Sequence, residues 1–344
     1  MSDGRRTGVL LVQLGTPRSP TARDVRAYLR EFLGDPRVLD LPAVGRWLLL
    51  NLVILPFRPR RSAEAYSQIW LAEGSPLRLH SRRLAEEVAA ELGSEYVVRL
   101  AMRYGEPSLA EALGELREAD VARIRVLPLF PQYAASTSGS VQQRVMALAG
   151  DEWIVPALEF VPDFPTHPGF IEAAADIARQ RMAGFRPDHV LFSYHGLPER
   201  QIRRGDPSGT HCLEQDDCCR ELGPKNRSCY RAQCAATTRA LTEALDLPGE
   251  SVSMSFQSRL GRTPWLGPST DHVLPELAAR GVKRLAVVCP SFVADCLETL
   301  EEVGIRGRAQ WREAGGDELL LVPCVNAHPR FVTAVADLVR LPHG

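Results

Sequence analysis

LFSYHGLPER, residues 191–200, is an apolar run that stops at Ser193-Tyr194-His195, after which Gly196 and Pro198 break the chain. A buried strand that delivers one histidine to its end, just ahead of a forced turn, has two readings. Either the strand exits through an ordinary polar residue, or it holds that histidine at the rim of a cleft to do chemistry. Similar runs recur along the chain. β-rich stretches lie at 8–14, 96–101, 123–129, 153–160, 189–194, 251–256, 284–289 and 318–322. Longer stretches with helical periodicity separate most of them. RDVRAYLREFL places Val25, Tyr28, Leu29 and Phe32 on one face, and SRRLAEEVAAEL does the same with Leu84, Val88, Ala89 and Leu92. Strands alternating with helices imply an α/β fold with parallel sheets covered on both faces.

The strand ends carry more information than the strands. In the first half they read LGTP (14–17), RYGEP (103–107) and PLFPQY (128–133); in the second, YHGLP (194–198), FQS (256–258) and CPSF (289–292). Open α/β sheets bind ligands outside the carboxyl ends of their strands. Two similar sheets with decorated carboxyl edges predict two Rossmann-like domains with a cleft between them. The boundary is expected in VPDFPTHPGF (161–170), where Pro162, Pro165, Pro168 and Gly169 cluster. This divides the chain into an N-terminal domain, 1–163, a C-terminal domain, 164–327, and a helix, 328–344, expected to pack back on the first domain.

The 344 residues are 45% apolar and 24% charged, the mix of an ordinary globular protein, and the net charge of −1 gives no reason to expect nucleic acid as a partner. The N-terminal MSDGRRTG runs straight into a strand without a small-residue cleavage site, so no signal peptide and a cytoplasmic location are expected. One segment complicates this. WLLLNLVILPF (47–57) is apolar except for Asn51, and Arg58, Arg60 and Arg61 follow. It is too short to span a bilayer, which takes roughly 20 apolar residues. It is either a buried helix or an apolar lip resting on a membrane, with the arginines at headgroup level.

No G-x-G-x-x-G fingerprint or P-loop follows the first strand, and no G-x-S-x-G elbow occurs. His195 and the acidic cluster in CPSFVADCLETLEEV (289–303) remain. There Glu298, Glu301 and Glu302, at i, i+3 and i+4, fall on one face of an α-helix. Such a face is ordinarily just solvated, but here it opens at a strand's carboxyl end.

LGTP, EGSPL (73–77), PLFPQY followed by Ser136-Thr137, SYHGLP, FQSRLGRTPWLGP (256–268) and DCLETLEE (295–302) together resemble ferrochelatase, in order and spacing, over roughly residues 7–341. The variants are most similar to the proteobacterial, enterobacterial-like branch. The resemblance implies two Rossmann-like domains and insertion of Fe(II) into protoporphyrin IX, without nucleotide or redox change. It implies that His195 is the active-site base or first metal ligand and that Glu298 stands on the opposite wall. Glu302 becomes a further step for metal or protons, and Asp295 either a support for His195 or an orienter of the cleft. Leu14, Arg103, Tyr104, Tyr133, Trp265 and Phe292 are expected to line the porphyrin. Cys296 stands where many relatives carry histidine, which puts a metal-binding role at that position in doubt. A chelatase acting on coproporphyrin or sirohydrochlorin, or a non-catalytic haem- or metal-binding protein, are the alternatives. Oligomeric state is left open between monomer and homodimer.

Five of the eight cysteines, Cys212, Cys218, Cys219, Cys229 and Cys234, fall in one insert within 205–235. A cytosolic chain rarely uses disulfides, so metal is expected. No Cys-x-x-Cys exists; Cys229-x4-Cys234 occurs in plant-type iron–sulfur ligation but just misses the usual zinc spacing. Resemblance to the ferrochelatases that hold a 2Fe–2S cluster favours that cofactor, with structural zinc as the alternative. Four of five thiolates suffice. Neighbours on an extended chain point opposite ways, so one of Cys218 and Cys219 is expected to be the spare.

Overall fold

The computed structural model describes residues 6–259, 261 and 263–341. Leu260 and Arg262 of the 256–268 motif lie outside the described residues, as do the ends of the outermost domain expectations, residues 1–5 and 342–344. Eight strands form two parallel four-stranded sheets. The first holds β1 (Thr7–Gly15), β2 (Tyr96–Tyr104), β3 (Arg123–Pro128) and β4 (Leu158–Phe160) in the order β2-β1-β3-β4. The second holds β5 (His189–His195), β6 (Val252–Gln257), β7 (Arg284–Val288) and β8 (Glu318–Leu321) in the order β6-β5-β7-β8. Both sheets therefore repeat one topology, with the earliest strand second in the sheet. In each, the chain reverses its direction of winding beside that strand, which is where doubly wound folds place ligands.

The chain divides into two compact units. One contains the chain up to Phe130, Ala135–Asp163 and the chain from Phe331 on; the other contains Pro131–Ala134 and Phe164–Arg330. Tyr133, inside 1–163 in sequence, thus belongs to the second unit. Each unit has its own apolar core. Leu10, Val12, Leu116, Val126 and Val141 pack in the first, and Leu191, Leu285, Val287, Trp311 and Leu319 in the second. Within the first unit, the guanidinium of Arg340, on the helix Pro329–Arg340, donates to Glu91 O at 2.8 Å.

Two local expectations are corrected. The run 153–160 is strand only from Leu158; Trp153 is 99% exposed, and Ile154 and Val155 are exposed beside it. Pro156 has no N–H to donate to a ladder, so pairing begins after it, where Ile124 N–H donates to Ala157 O at 2.8 Å. The 47–57 run is helical but not a buried helix. It lies in Ala43–Leu48, a π-helical turn Leu49–Ile54, and Leu55–Ile69. Leu55 N–H donates to Leu50 O across five residues, one residue before Pro56, which has no N–H of its own. Leu50 is 5% exposed and Leu55 is buried, whereas Trp47, Leu48, Leu52 and Val53 are exposed and Phe57 is 76% exposed. Among the described residues no helix is long and apolar enough to cross a membrane.

Candidate active site and thiol cluster

His195 is the last residue of β5 and pairs with Gln257, the last of β6. The chain turns because Gly196 follows. A Cβ there would stand 2.8 Å from Gln257 O and 3.3 Å from the Trp265 ring. Leu197 and Glu199 then bond to the 264–266 segment, Leu266 N–H to Leu197 O at 2.9 Å and Glu199 N–H to Pro264 O at 3.0 Å. Trp265 is thereby laid against the turn, half-buried, its indole N–H without a partner. The Phe292 ring lies 6.3 Å from the His195 ring, edge-on. His195 Nδ1 is 2.7 Å from Gly196 O; a carbonyl oxygen only accepts, so Nδ1 is the donor and Nε2 is the lone-pair nitrogen of the neutral tautomer.

The acidic cluster is not the single α-helical face that its spacing predicts. Glu298–Gly307 is a π-helix. Its wider turn keeps residues i and i+4 nearly in line and swings i+3 away. Glu301 is buried, and its two oxygens share one bifurcated bond from Arg306 Nε at 2.9 and 3.1 Å. Glu302 instead accepts from Ser258 N–H at 2.8 Å and Ser258 Oγ at 2.6 Å. Ser258 holds φ at +65°, a conformation that costs energy for a residue with a Cβ and aims both donors at one carboxylate. Burial raises Glu302 above the ordinary carboxylate range. The Ser258 bonds and the nearby His195 oppose that rise, and Glu298 adds to it. Glu302 thus feels the charge of both His195 and Glu298.

Sequence reasoning missed Gln257. It is buried, accepts from Ser193 Oγ at 2.7 Å and donates to Glu298 O at 2.8 Å, tying the ends of β5 and β6 to the start of the π-helix. A glutamine at the end of an apolar strand was the available signal. Asp295 does not support His195. One of its oxygens accepts Cys324 N–H at 3.1 Å and the other Asn326 Nδ2 at 2.8 Å, because the backbone after β8 returns beside it. Cys296 is buried, and burial, followed by the charge of Glu298, pushes its thiol well up, so it stays neutral.

Tyr133 is half-buried, and its N–H donates to Gln233 Oε1 at 2.6 Å. In the first unit, Leu14 is half-buried against the core at the end of β1. Gly15 follows at φ +124°, where a Cβ would lie 1.8 Å from Tyr104 O. Tyr104 is 0% exposed and cannot line a ligand surface: its hydroxyl donates to Asp35 at 2.9 Å and Phe32 packs edge-on against its ring. Arg103, mostly buried, bonds Asp35 at 2.6 Å and Ser140 Oγ at 2.7 Å. Burial alone would raise Asp35, but bonds from Ser140, the Arg37 N–H and Tyr104, with the charge of Arg103, hold it below the ordinary range. Its ionised form therefore stabilises the fold above the unfolded carboxylate pKa, and that stability is lost as pH falls through the lowered native value. Asp35→Ala leaves a buried guanidinium unpaired. It is expected to cost about 3 kcal/mol in urea unfolding at neutral pH, with the deficit shrinking in acid.

The thiols gather differently from the spacing argument. Cys218 and Cys219 lie in a turn, not on extended chain, and their sulfurs are 3.7 Å apart. The Cys229 thiol interacts with both Cys219 and Cys212, and Cys212 also feels Cys218. Cys229 stands at the N-terminus of the helix Tyr230–Ala244. Its thiol is lowered to about 6, first by the Cys219 hydrogen bond, then by the Ala232 N–H, Cys212 and the Arg231 N–H, against burial. Asp206 organises the approach, accepting Cys212 N–H at 2.9 Å, His211 N–H at 2.9 Å and Ser208 Oγ at 2.7 Å. Cys234, one helical turn on, is fully buried beside Tyr230 and also feels the charge of Cys229. Among the described residues no group of three or more His, Cys, Asp or Glu side chains is arranged to hold one metal ion.

Comparisons place this geometry among known proteins. The family model described as ferrochelatase matches residues 6–341. A ferrochelatase of Coxiella burnetii (strain Dugway 5J108-111) is 44% identical over 340 residues, covering 99% of this chain and 95% of the relative. One of Legionella pneumophila (strain Lens) is 45% identical over 337 residues, covering 97% and 99%. Among solved structures, SirB from Bacillus subtilis with Fe3+ superposes with a TM-score of 0.55 at 12% identity, covering 97% of this chain and 94% of that one. At that identity the likeness is one of fold, and it matches the two parallel α/β sheets described above.

Proposed function

The chain belongs to the ferrochelatase family, and from that premise we propose that it inserts Fe(II) into protoporphyrin IX, with the chemistry at the end of β5. The observation that carries the reading is that the end of β6, paired with His195 through Gln257, bonds the Glu298 carbonyl through Gln257 and the Glu302 carboxylate through Ser258. Insertion exchanges two pyrrole N–H protons for the metal, so the site needs proton acceptors and a ligand that lets go. His195 offers Nε2 as the acceptor, its ring oriented by the Nδ1 bond to Gly196 O. Glu302, raised by burial, takes a proton more readily than an exposed carboxylate and passes it outward. Glu298, with its backbone carbonyl fixed by Gln257, supplies a carboxylate that binds Fe(II) weakly enough to release it. Trp265 and Phe292 border the histidine with apolar ring surface that suits a macrocycle. Offering Fe(II) with protoporphyrin, coproporphyrin or sirohydrochlorin and identifying the product tests the proposal. A product from coproporphyrin alone establishes the alternative substrate.

The insert supports a second part of the reading, a 2Fe–2S cluster held by Cys212, Cys218, Cys219 and Cys229. Tetrahedral metal–thiolate bonds of roughly 2.3 Å set neighbouring sulfurs about 3.8 Å apart. The 3.7 Å between the Cys218 and Cys219 sulfurs fits two thiolates on one metal. A two-iron cluster takes two such pairs, whereas zinc, the alternative, needs four donors about one point.

The exposed face of Trp47, Leu52, Val53 and Phe57, followed by Arg58, Arg60 and Arg61, supports peripheral contact with a membrane. Each such side chain contributes about 1.5–3 kcal/mol when withdrawn from water. Trp47→Ser with Phe57→Ser is expected to weaken liposome partitioning by at least about tenfold with little change in melting temperature. Leu50→Ser removes a core contact and is expected to destabilise instead. Unchanged partitioning of the double variant removes the membrane role.

A further inference from the structure

Strand β5 lies between β6 and β7, but β7 stops opposite Phe192, paired with Val288. Ser193, Tyr194 and His195 therefore extend past the ladder on that side. The backbone N–H and C=O of one strand residue point to the same side, so both groups of His195 lack strand partners there. Side chains replace them. Ser291 Oγ accepts the His195 N–H at 3.1 Å, and the Tyr230 hydroxyl donates to the His195 carbonyl at 2.8 Å. The same Tyr230 hydroxyl is hydrogen-bonded to Ser291. Tyr230 is buried and opens the helix Tyr230–Ala244; Thr238 on that helix bonds the Tyr194 hydroxyl at 2.8 Å. One helix thus grips the last two residues of β5.

We infer that Tyr230 and Ser291 are positioning residues for metal insertion: together they stand in for the missing ladder bonds and fix the direction in which the His195 ring leaves the strand. The inference rests on the reading of His195 given above. The two peptide planes that flank His195, held only by β6, can rock about the strand axis, and the ring carried on the Cα between them moves with them. Displacements of this kind reduce turnover without altering apolar binding surface.

The test uses the whole 344-residue chain as purified. Tyr230→Phe and Ser291→Ala are each expected to lower kcat about tenfold with KM for porphyrin unchanged. Ser291→Thr, which keeps the acceptor, is expected to retain most of the activity. Because the two bonds hold the two peptides that flank the His195 Cα, the double variant is expected to lose less than the product of the single losses. Ser253→Ala is the control. It removes a hydrogen bond at the opposite end of β5, where Ser253 Oγ lies 2.9 Å from His189 Nε2, and leaves kcat unchanged. The His195 ring NMR signals, assigned with His195→Ala, are expected to shift in Tyr230→Phe and Ser291→Ala but not in Ser253→Ala. This readout is independent of turnover. Should wild type insert no metal, the functional reading falls while the ring signals still decide the positioning. Unmoved ring signals and wild-type kcat in both variants overturn the inference. So does an equal kcat loss in Ser253→Ala, which would mark a merely structural effect. If Tyr230→Phe fails to fold, Ser291→Ala against Ser291→Thr decides alone.

Discussion

His195→Ala is expected to lower metal insertion by about 10³-fold or more, in the range attributed to a positioned acid–base group, while porphyrin binding stays within about threefold. The two effects separate because the histidine supplies a lone pair and the macrocycle is held chiefly by apolar area. Glu298→Gln, which keeps the shape but removes the charge, is expected to lose nearly as much rate. Haem formation followed by absorbance gives the rates, and quenching of porphyrin fluorescence gives the affinities. A histidine variant that keeps most of its turnover would remove His195 from its proposed role, whatever the status of Glu298. Asp295→Asn is expected to act differently, through stability, since its carboxylate is committed to Cys324 N–H and Asn326.

The second large effect belongs to the thiols. Protein purified without oxygen is expected to be red-brown, with close to two irons and two sulfides per chain, the content of a 2Fe–2S cluster on four thiolates. Cys212→Ser, Cys218→Ser, Cys219→Ser and Cys229→Ser are each expected to abolish the colour, and Cys234→Ser to retain it. The visible spectrum and metal analysis decide between outcomes. Loss of colour in Cys234→Ser would displace the proposed ligand set, and stoichiometric zinc in a colourless protein would establish zinc. Losing the cluster is also expected to lower the melting temperature. From Cys212 to Cys229 the insert offers only Leu213 and Leu222 as large apolar residues, too little apolar area to order that length of chain unaided.

The thiol set shows where reading the chain failed. The alternation rule that nominated one of Cys218 and Cys219 as spare holds for extended chain, and those residues lie in a turn. Cys229-x4-Cys234 has a ligand-like spacing, but the helix begins between the two cysteines and carries Cys234 into the core. The acidic cluster failed in a related way. An i, i+3, i+4 pattern assumes an α-helix, and the π-helix at Glu298–Gly307 sends Glu301 to Arg306 and Glu302 to Ser258. The 47–57 run showed apolar content without period, so its exposed side could not be told from its buried one.

What the sequence by itself determined is local and periodic. Apolar runs bounded by Gly and Pro located all eight strands, although Pro156 shortened the fourth; helical periodicity placed two of the intervening helices, Ala22–Gly34 and Pro76–Leu92; and the strand-end motifs and the acidic cluster nominated His195, Glu298, Glu301 and Glu302 as candidates. These follow from the side-chain periods of strand and helix and from the backbone limits of glycine and proline, which neighbours in sequence set among themselves. Only the tertiary structure decided which groups meet. Ser258 and Glu302, 44 residues apart, Asp295 and Asn326, 31 apart, and Tyr230 and His195, 35 apart, are joined by the path of the chain. A hydrogen bond demands placement to a few tenths of an ångström, and no local pattern carries that information across such separations.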